Sequence, residues 1–360
     1  MFPKLRFKEF DGDWLKLKYK DVLTIKYGKD HKSLNDGDIP VLGTGGIMRY
    51  VDSYLYDGES ILIGRKGTID KPQYINEKFW TVDTLFYTEI KENIVPLFLF
   101  QHALEVNWLG LNEATGVPSL NTTSIYNVDI SIPSKEEQTK IVTFLSAVDE
   151  KISQLTQKHE LLSQYKQGMM QKLFSQQIRF KADDGSEFGE WEEKELHQIF
   201  QIKAGGDIDK DSVSQVKTSE FCYPIFANSD KNKGFYGWAN KFKYKEALTV
   251  TGRGNLGIAV ARNEPFYPIV RLLILLPLIK QNLKFFEEQI NLLDIVSEST
   301  GVPQLTAPQL SRYKVNVPCL EEQTKIANFL SAIDQKIEVV AQQIEQAKTW
   351  KKGLLQQMFV

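Results

Sequence analysis

Two stretches of the chain carry apolar residues at alternating steps of four and three. The first runs from Ile141 to Leu173 and the second from Ile326 to Met358, and a lysine breaks each series, Lys166 in the first and Lys351 in the second. A period near 3.5 residues sustained over about 40 residues predicts two long helices, each about 60 Å long and each with one coiled-coil seam. The predicted seam residues are Ile141, Leu145, Val148, Ile152, Leu155, Leu162, Ile326, Leu330, Ile333, Ile337, Val340 and Ile344.

Each apolar seam needs an apolar partner. The matched lengths of the two seams favour an antiparallel pair within the chain, with a globular domain at each end of the pair. Packing of each helix on its own domain, or on another subunit, is the alternative. Ser134, followed by Glu137, predicts a capping box at the start of the first helix. His159 within the first seam is interpreted as a tolerated polar residue.

The periodic stretches belong to an internal repeat. TGVPSL at 115–120 returns as TGVPQL at 300–305, and EEQTKI at 136–141 returns at 321–326. Half of the residues from 113 to 152 are identical to the residues 185 positions later. The front parts match more weakly: GDW at 12–14 faces GEW at 189–191, and the glycine-flanked turns at 64–67 and 252–254 match Arg65 with Arg253. The chain is therefore a duplication with a pseudo-two-fold arrangement, in which a preserved scaffold carries two different surfaces.

The parts before the predicted helices hold short strands. Runs rich in Val, Ile, Tyr and Phe, such as 60–63 and 247–250, are broken by Gly, Asn and Asp, which is typical of mixed α/β domains. The predicted fold class is therefore mixed α/β, with two globular domains separated by two long, antiparallel coiled-coil helices. We predict a first domain at 1–133, a helix at 134–175, a second domain at 176–318 and a helix at 319–360.

Composition limits the class of protein and the compartment that the sequence suits. The 360 residues are 42% hydrophobic and 25% charged, as in soluble globular proteins. The amino-terminal residues contain no apolar run typical of a signal peptide, and the apolar stretch at 272–279 is too short to span a bilayer. Cys222 and Cys319 stand alone, which favours a reducing compartment, and we expect a cytoplasmic protein.

The charge balance gives no general basic character. The net charge is −2, and residues 1–133 carry 15 Lys and Arg against 18 Asp and Glu. Any nucleic-acid surface must therefore arise from local clusters. Five lysines without an acidic residue lie between 231 and 245, interleaved with aromatic residues, and they suit phosphate and base contacts. A solvated edge strand protected by lysines is the alternative interpretation.

The candidate DNA-binding residues lie in both domains. Arg65 and Arg253, at the glycine-flanked turns, have the reach for a guanine edge or a phosphate, against simple surface exposure as the alternative. The full set comprises Lys26, Lys29, His31, Arg49, Arg65, Lys66, Lys231, Lys233, Tyr236, Trp238, Lys241, Lys243, Lys245 and Arg253.

Signals of catalysis are missing from the sequence. It contains no phosphate loop, no GxSxG elbow, no metal-type spacing of its four histidines and no NPPY or DPPY motif of an amino-methyltransferase. We therefore expect no catalytic residues and no metal site in this chain.

The doubled pattern resembles a known family. The segments from Pro133 to Ile152 and from Pro318 to Ile337, each preceded by TGVPxL, are similar to the conserved regions of the specificity (S) subunits of Type I restriction–modification systems. The resemblance implies that each variable domain recognises one half of a split double-stranded DNA target, and that the helices set the gap and dock two methyltransferase subunits. Those subunits recruit the restriction subunits, and S-adenosylmethionine, ATP and Mg²⁺ are then expected on these partners. No membrane contact is implied.

Two other functions stay open from the sequence alone. One is an enzyme, a nuclease or methyltransferase with an unrecognised site. The other is a scaffold or inhibitor that uses the coiled coil without DNA. The target bases are not encoded in any transferable pattern.

Overall fold

The computed structural model describes residues 3–295 and 304–359, which form two compact units. Unit 1 contains Met1–Gln157 and Val340–Val360, and unit 2 contains Lys158–Val339. The helices are α1 (Tyr19–Val22), α2 (Pro96–Glu105), α3 (Thr122–Tyr126), α4 (Lys135–Phe174), α5 (Leu196–Ile199), α6 (Leu283–Ile290), α7 (Ala307–Leu310) and α8 (Leu320–Met358). The strands before α4 are β1 (Leu15–Lys18), β2 (Leu23–Tyr27), β3 (Ile39–Gly43), β4 (Gly46–Val51), β5 (Tyr56–Gly64), β6 (Gln73–Thr81), β7 (Leu85–Ile90) and β8 (Asp129–Ile132). Those between α4 and α8 are β9 (Glu192–Glu195), β10 (Phe200–Ala204), β11 (Val213–Ser214), β12 (Tyr223–Phe226), β13 (Phe235–Ala239), β14 (Ala247–Val250), β15 (Ala259–Arg262), β16 (Tyr267–Pro268), β17 (Leu273–Pro277) and β18 (Lys314–Val317).

Unit 1 is built on a six-stranded sheet in the order β2-β7-β5-β6-β3-β4. Its neighbours are antiparallel except for β3 and β6, which run parallel. The second half of β5 is buried on both faces. Ile61, Leu62 and Ile63 are buried there, and the buried Ser60 hydroxyl donates to the carbonyl of Thr88. The β4 edge, by contrast, exposes Ile47, Met48 and Tyr50.

Unit 2 repeats part of this topology. Its first sheet has the order β10-β17-β14-β15, which corresponds to β2-β7-β5-β6 of unit 1. Four further strands form a separate sheet, β11-β13-β12-β16. The apolar stretch that includes 272–279 is strand β17, with Leu273, Ile274 and Leu275 buried. The internal repeat therefore preserves four strand positions, while the outer strands of the two units are arranged differently.

A two-stranded ribbon leads into each long helix. In unit 1 β1 pairs with β8 just before α4, and in unit 2 β9 pairs with β18 just before α8. Ser134 accepts a hydrogen bond from the backbone of Glu137 (3.3 Å) and therefore caps α4. The predicted return contact of a capping box is wrong, because the Glu137 carboxylate turns into the core instead.

The long helices run antiparallel within each unit. The first turns of α4 and the last turns of α8 lie in the core of unit 1, where Ile141 and Leu145 share a cluster with Leu354 and Met358. In unit 2 Ile326 and Leu330, early in α8, share a cluster with the end of α4. Both clusters also contain side chains of the sheets, so each seam packs on its own domain as well as on the other helix. The predicted fold class, mixed α/β domains with two long helices, is confirmed.

All twelve predicted seam positions are buried or half-buried. Ile152, Leu162 and Ile337 are the half-buried ones. Helices α4 and α8 begin and end within one or two residues of the ranges 134–175 and 319–360. Each compact unit, however, includes parts of both helices.

Candidate nucleic-acid interface

A buried arginine–glutamate pair anchors the start of α4 in unit 1. Arg6 binds Glu137 through two hydrogen bonds of 2.7 Å, and its guanidinium also donates to the carbonyl of Gly12 (2.6 Å). The indole of Trp14 donates to the same carboxylate (3.3 Å), and the Glu137 side chain is only 2% exposed. The pair raises the pKa of Arg6, chiefly through its hydrogen bonds to Glu137. These contacts hold the front of the domain on the helix.

Unit 2 contains the same anchor. Arg179 donates to both oxygens of Glu322 (3.1 and 2.8 Å) and to the carbonyl of Gly189 (2.6 Å), and Trp191 donates to Glu322 (3.0 Å). The sequence comparison missed the arginines. RFK at 6–8 recurs at 179–181, but its spacing to the tryptophan differs by four residues between the copies.

The lysines that break the seams form ion pairs. In unit 1 Lys351 lies 2.7 Å from Asp149. In unit 2 Lys166 lies 2.7 Å from Asp334 and 3.0 Å from Glu288, and Lys284 joins both carboxylates. Burial opposes the charge of Lys284, but Glu287, 2.6 Å away, and Glu288 together raise the pKa of Lys284. The paired cations are part of the scaffold and are not available to DNA.

The glycine-flanked turns occupy equivalent places, but not in the predicted register. In unit 1 Lys66 faces Ser119, and Leu120 donates to the carbonyl of Arg65 (2.9 Å). In unit 2 Arg253 faces Gln304, and Leu305 donates to the carbonyl of Gly252 (2.9 Å). The expected match of Arg65 with Arg253 is therefore wrong by one position, and Lys66 is the counterpart of Arg253. Residues 300–303 of the second TGVP segment lie outside the described residues.

Several basic candidates of unit 1 already have partners. Lys26 lies 3.1 Å from Glu89, which raises its pKa, and Arg49 lies 2.6 Å from Asp36. Arg65 lies over the ring of Tyr27 (5.5 Å) and donates to the carbonyl of Asp83 (3.2 Å). Lys29 and Lys66 are exposed. The contacts leave Lys29, Arg65 and Lys66 as the better placed cations of this group.

A cleft of 810 Å³ lies beside the β3–β4 hairpin in unit 1. His31 and Lys32 line one part of it, and the hairpin residues Thr44, Ile47 and Met48 line another. The His31 Nδ1 is buried and has no hydrogen-bond partner within the described part of the chain. The cleft thus combines an apolar hairpin edge, an imidazole whose Nδ1 is unpaired among the described residues, and a cation.

The lysine-rich segment of unit 2 contains β13, which lies between β11 and β12 in the second sheet. Its five lysines are exposed, and so is Tyr236 on β13. Trp238 is half-buried, with the ammonium of Lys217 4.8 Å from its ring. Lys241 lies 3.5 Å from Asp209 and Lys245 lies 3.3 Å from Glu246, so these two cations are partly neutralised. Lys231, Lys233 and Lys243 have no acidic partner within the described residues.

Arg262 contacts the loop at the start of this segment. Its role was not predicted from the sequence. Its guanidinium lies 3.5 Å from the ring centroid of Phe226 and donates to the carbonyl of Lys233 (2.5 Å) and to Thr249 (3.1 Å). Burial lowers the pKa of Arg262 to about 10. Asn232 and Lys233 in the supported loop have positive φ angles of 48° and 52°. The half-buried arginine therefore supports a strained, lysine-bearing loop.

Neither a metal site nor a membrane-spanning helix is found among the described residues. No group of three or more His, Cys, Asp or Glu residues there has the geometry to hold a metal ion. No helix in the described ranges is both long enough and apolar enough to cross a membrane.

Comparison with known proteins identifies the repeated architecture. The family model of the Type I restriction modification DNA specificity domain matches residues 11–164 and again residues 189–349. A Mycoplasma pneumoniae chain named as a type I specificity subunit is 26% identical over 326 residues, covering 88% of both chains. The specificity subunit of the MjaVIII restriction enzyme of Methanocaldococcus jannaschii is 26% identical over 346 residues, covering 84% of this chain and 76% of that one.

Solved structures share the fold. The S subunit of a Type I restriction–modification system from M. genitalium matches with a TM-score of 0.70 at 16% identity, covering 100% of this chain and 99% of the other. A chain from a structure describing assembly and conformational transition of the type I system has a TM-score of 0.59 at 14% identity, covering 96% and 97%. The chain belongs to the family of Type I restriction–modification DNA specificity domains, which it contains twice, and it is a DNA sequence-specificity subunit.

Proposed function

We propose that unit 1 and unit 2 each recognise one half of a split double-stranded DNA target and that the chain itself catalyses no reaction. The observation that carries this proposal is the contrast between what the units share and what they do not. Both have the arginine–glutamate–tryptophan anchor and the same four-strand order. Their exposed faces differ in sequence and in strand arrangement, as two readers of different bases require.

In unit 1 we assign base recognition to the β3–β4 hairpin and its cleft. Ile47 and Met48 are 55% and 59% exposed at a hairpin edge, an unusual place for large apolar side chains. Such side chains contact thymine methyl groups or wedge into a base step, and His31 offers a hydrogen bond beside them. Lys29, Lys32 and Arg65 supply positive charge next to the cleft for the phosphates.

In unit 2 we assign base recognition to strand β13 around Tyr236 and Trp238. Lys231, Lys233 and Lys243 lie on the same segment and suit the phosphates on either side. Lys241 and Lys245 contribute less, because each has an acidic neighbour. The two units thus use different chemistry, apolar in the first and aromatic and cationic in the second.

The partners follow from the family. We propose that the chain works with two methyltransferase subunits, that these recruit the restriction subunits, and that the long helices provide the docking surface and set the gap between half-sites. S-adenosylmethionine, ATP and Mg²⁺ belong to those partners in this proposal. We also propose that the complex acts in the cytoplasm, where it has access to the DNA of the cell.

The proposal is tested by mapping methylation. The chain is co-expressed with the methyltransferase subunit from its own genome, and N6-methyladenine is located by single-molecule sequencing. We expect one motif of two short half-sites around a fixed gap. Exchange of residues 1–133 for those of another family member should change one half-site only. A complex that assembles and binds S-adenosylmethionine but methylates no motif would contradict the proposal.

A further inference from the structure

A tight turn leads into β7 in unit 1 and into β17 in unit 2. The turns cover residues 82–85 and 269–272, and in each the last residue donates a backbone hydrogen bond to the carbonyl of the first (3.0 and 3.3 Å). The strands that follow have equivalent antiparallel neighbours, β2 and β5 in unit 1 and β10 and β14 in unit 2. Aligned on these pairings, Arg271 of unit 2 takes the place of Thr84 in unit 1.

The turn of unit 1 forms part of the cleft that we assign to base recognition. Val82, Asp83 and Thr84 line this cleft together with the β3–β4 hairpin. At the last two of these positions unit 2 has Val270 and Arg271. Side chains that read different bases must differ between the units, and this position differs in both size and charge. The turn of unit 2 is therefore a candidate for base recognition in its own half-site.

The turn of unit 2 has an unfavourable backbone conformation. Val270 and Arg271 have φ angles of 42° and 59°, whereas neither Asp83 nor Thr84 of unit 1 has a positive φ. This left-handed region suits glycine, and a β-branched residue such as Val270 rarely adopts it. Backbone strain of this kind persists only where the surrounding structure enforces it, and it is concentrated at functional sites.

Hydrogen bonds from neighbouring segments enforce the strained turn. The N–H groups of Val270 and Arg271 donate to the two carbonyls of residues 205–206, just after β10 (3.1 and 3.2 Å). The Asn228 side chain donates to the carbonyl of Val270 and accepts a hydrogen bond from Gly252 (2.7 Å), which belongs to the glycine-flanked basic turn of unit 2. The strained turn is therefore fixed to the end of β10 and, through Asn228, to the loop after β12.

The side chain of Arg271 has no partner within the described part of the chain. It is exposed and forms no ion pair or side-chain hydrogen bond there. Lys231 and Lys233, which lie in the same loop as Asn228, already supply exposed charge for phosphates. A phosphate contact needs only a cation and tolerates a mobile side chain. A base contact needs a side chain that starts from a fixed point, which is what the strained turn provides.

We propose that Arg271 reads a guanine in the half-site of unit 2, through the major-groove edge of the base. The proposal rests on the proposed function, because it needs unit 2 on its half-site. The planar guanidinium has two parallel N–H donors, and guanine presents two acceptors, O6 and N7, that match them. Arg271 is thus a specificity-determining residue that the sequence candidates did not include.

The test uses the complex assembled with methyltransferase subunits and a methylation map of each variant. Exchange of residues 1–133 first shows which half-site stays the same and therefore belongs to unit 2. In Arg271→Ala we expect one G·C pair of that half-site to become degenerate. Binding to a panel of single base-pair substitutions should show a loss of about 10- to 100-fold in the preference for guanine there. Arg271→Lys should restore only part of this preference, because an ammonium lacks the planar pair of donors.

Two further variants separate base reading from a structural role. Arg271→Gly also removes the side chain, but glycine suits the positive φ. It should therefore unfold at no lower temperature than Arg271→Ala and lose the same preference. Arg312→Ala is the matched control, since it removes another exposed arginine of unit 2, in the turn between α7 and β18. It should leave the motif and the preference for guanine unchanged.

The contrary outcomes are distinguishable. An unchanged motif, with binding to all sequences weakened alike, would make Arg271 a phosphate ligand and overturn the proposal. A half-site of unit 2 without any G·C pair would also overturn it. A preference that is lost only together with thermal stability, and is kept in Arg271→Gly, would assign the side chain a structural role instead. In these three cases the split motif of the wild type still supports the proposed function. Absence of that motif in the wild type would overturn the proposed function, and the role of Arg271 with it.

Discussion

Lys351 and Asp149 form an ion pair of 2.7 Å between the two long helices of unit 1. Their repeat counterparts, Lys166 and Asp334, form the same pair at 2.7 Å in unit 2. Each lysine stands where the apolar period of its helix is broken, and each aspartate stands one position after a seam residue of the other helix. Antiparallel packing of a duplicated helix brings such positions together twice. A break in the apolar pattern is here a specific interaction between helices.

The two pairs differ in their surroundings, which makes their loss unequal. Lys166 also neutralises Glu288, whose side chain is 4% exposed, whereas Asp149 beside Lys351 is 43% exposed. We expect Lys351→Met to lower the free energy of unfolding by about 1 kcal/mol or less. Lys166→Met should cost about 3 kcal/mol, because it leaves a buried carboxylate with one cation fewer. Urea unfolding of both variants checks this, and equal losses would show that Glu288 does not depend on Lys166.

The helices and the duplication were predictable because each produces a regular pattern in the sequence itself. A 3.5-residue period and an unbroken 185-residue offset survive any change in the rest of the domain. The anchor was harder to find, because Arg6 and Arg179 lie at different distances from Trp14 and Trp191. A contact between residues 131 or 143 positions apart has no local signature.

The buried anchor carries a stability prediction. Glu137→Gln removes the charge that pairs with Arg6 and leaves the guanidinium half-buried without its counter-ion. We expect a loss of about 3 kcal/mol in unfolding free energy. Glu136→Gln changes the adjacent exposed carboxylate and should cost less than about 0.5 kcal/mol. Thermal and urea unfolding of the two variants test the contrast, and a Glu137→Gln protein as stable as Glu136→Gln would refute it.

The interface was less predictable than the scaffold. No sequence pattern indicates that Asp36 neutralises Arg49 or that Asp209 approaches Lys241, since both pairs join residues in different loops or strands. The one-position shift at the basic turns has a similar cause. Glycines at both 64 and 67 allow two alignments with 252–254, and only the pairing with Ser119 and Gln304 decides between them.

His102 gives unit 1 a sensitivity to acid. Its Nδ1 lies 2.9 Å from the Tyr19 hydroxyl, and burial lowers the pKa of His102 to about 4. Protonation therefore favours the unfolded chain, in which the pKa is about 6.5, and the stability from neutral His102 is full above that pH. It should be lost progressively as the pH falls from about 6.5 to 4, by a total on the order of 3 kcal/mol.

The matched variant for this prediction comes from the other unit. His102 of α2 and Gln289 of α6 occupy equivalent positions in the two units. His102 follows Phe98, whose ring contacts Trp14, and Gln289 follows Phe285, whose ring contacts Trp191, at the same spacing. His102→Gln cannot titrate in this range. As the pH falls from 6.5 to 4, the wild type should lose unfolding free energy relative to the variant. Urea unfolding at each pH measures this change. A constant difference would mean that His102 is protonated equally in both states.

Unit 2 allows base reading and phosphate binding to be separated on one segment. Tyr236 is 51% exposed on β13, and Lys243 is an exposed lysine a few residues further on. If the aromatic side chain contacts a base, Tyr236→Ala relaxes one or two positions of a single half-site, by about 1–3 kcal/mol for each base pair. Lys243→Ala should weaken binding to all sequences alike and leave the motif intact, because a phosphate contact carries no base information. Binding to a panel of single base-pair substitutions, with a methylation map of each variant, measures both effects. A change in both half-sites from Tyr236→Ala would mean that this side chain acts on the fold of the complex, because a base contact in one unit has no route to the bases read by the other.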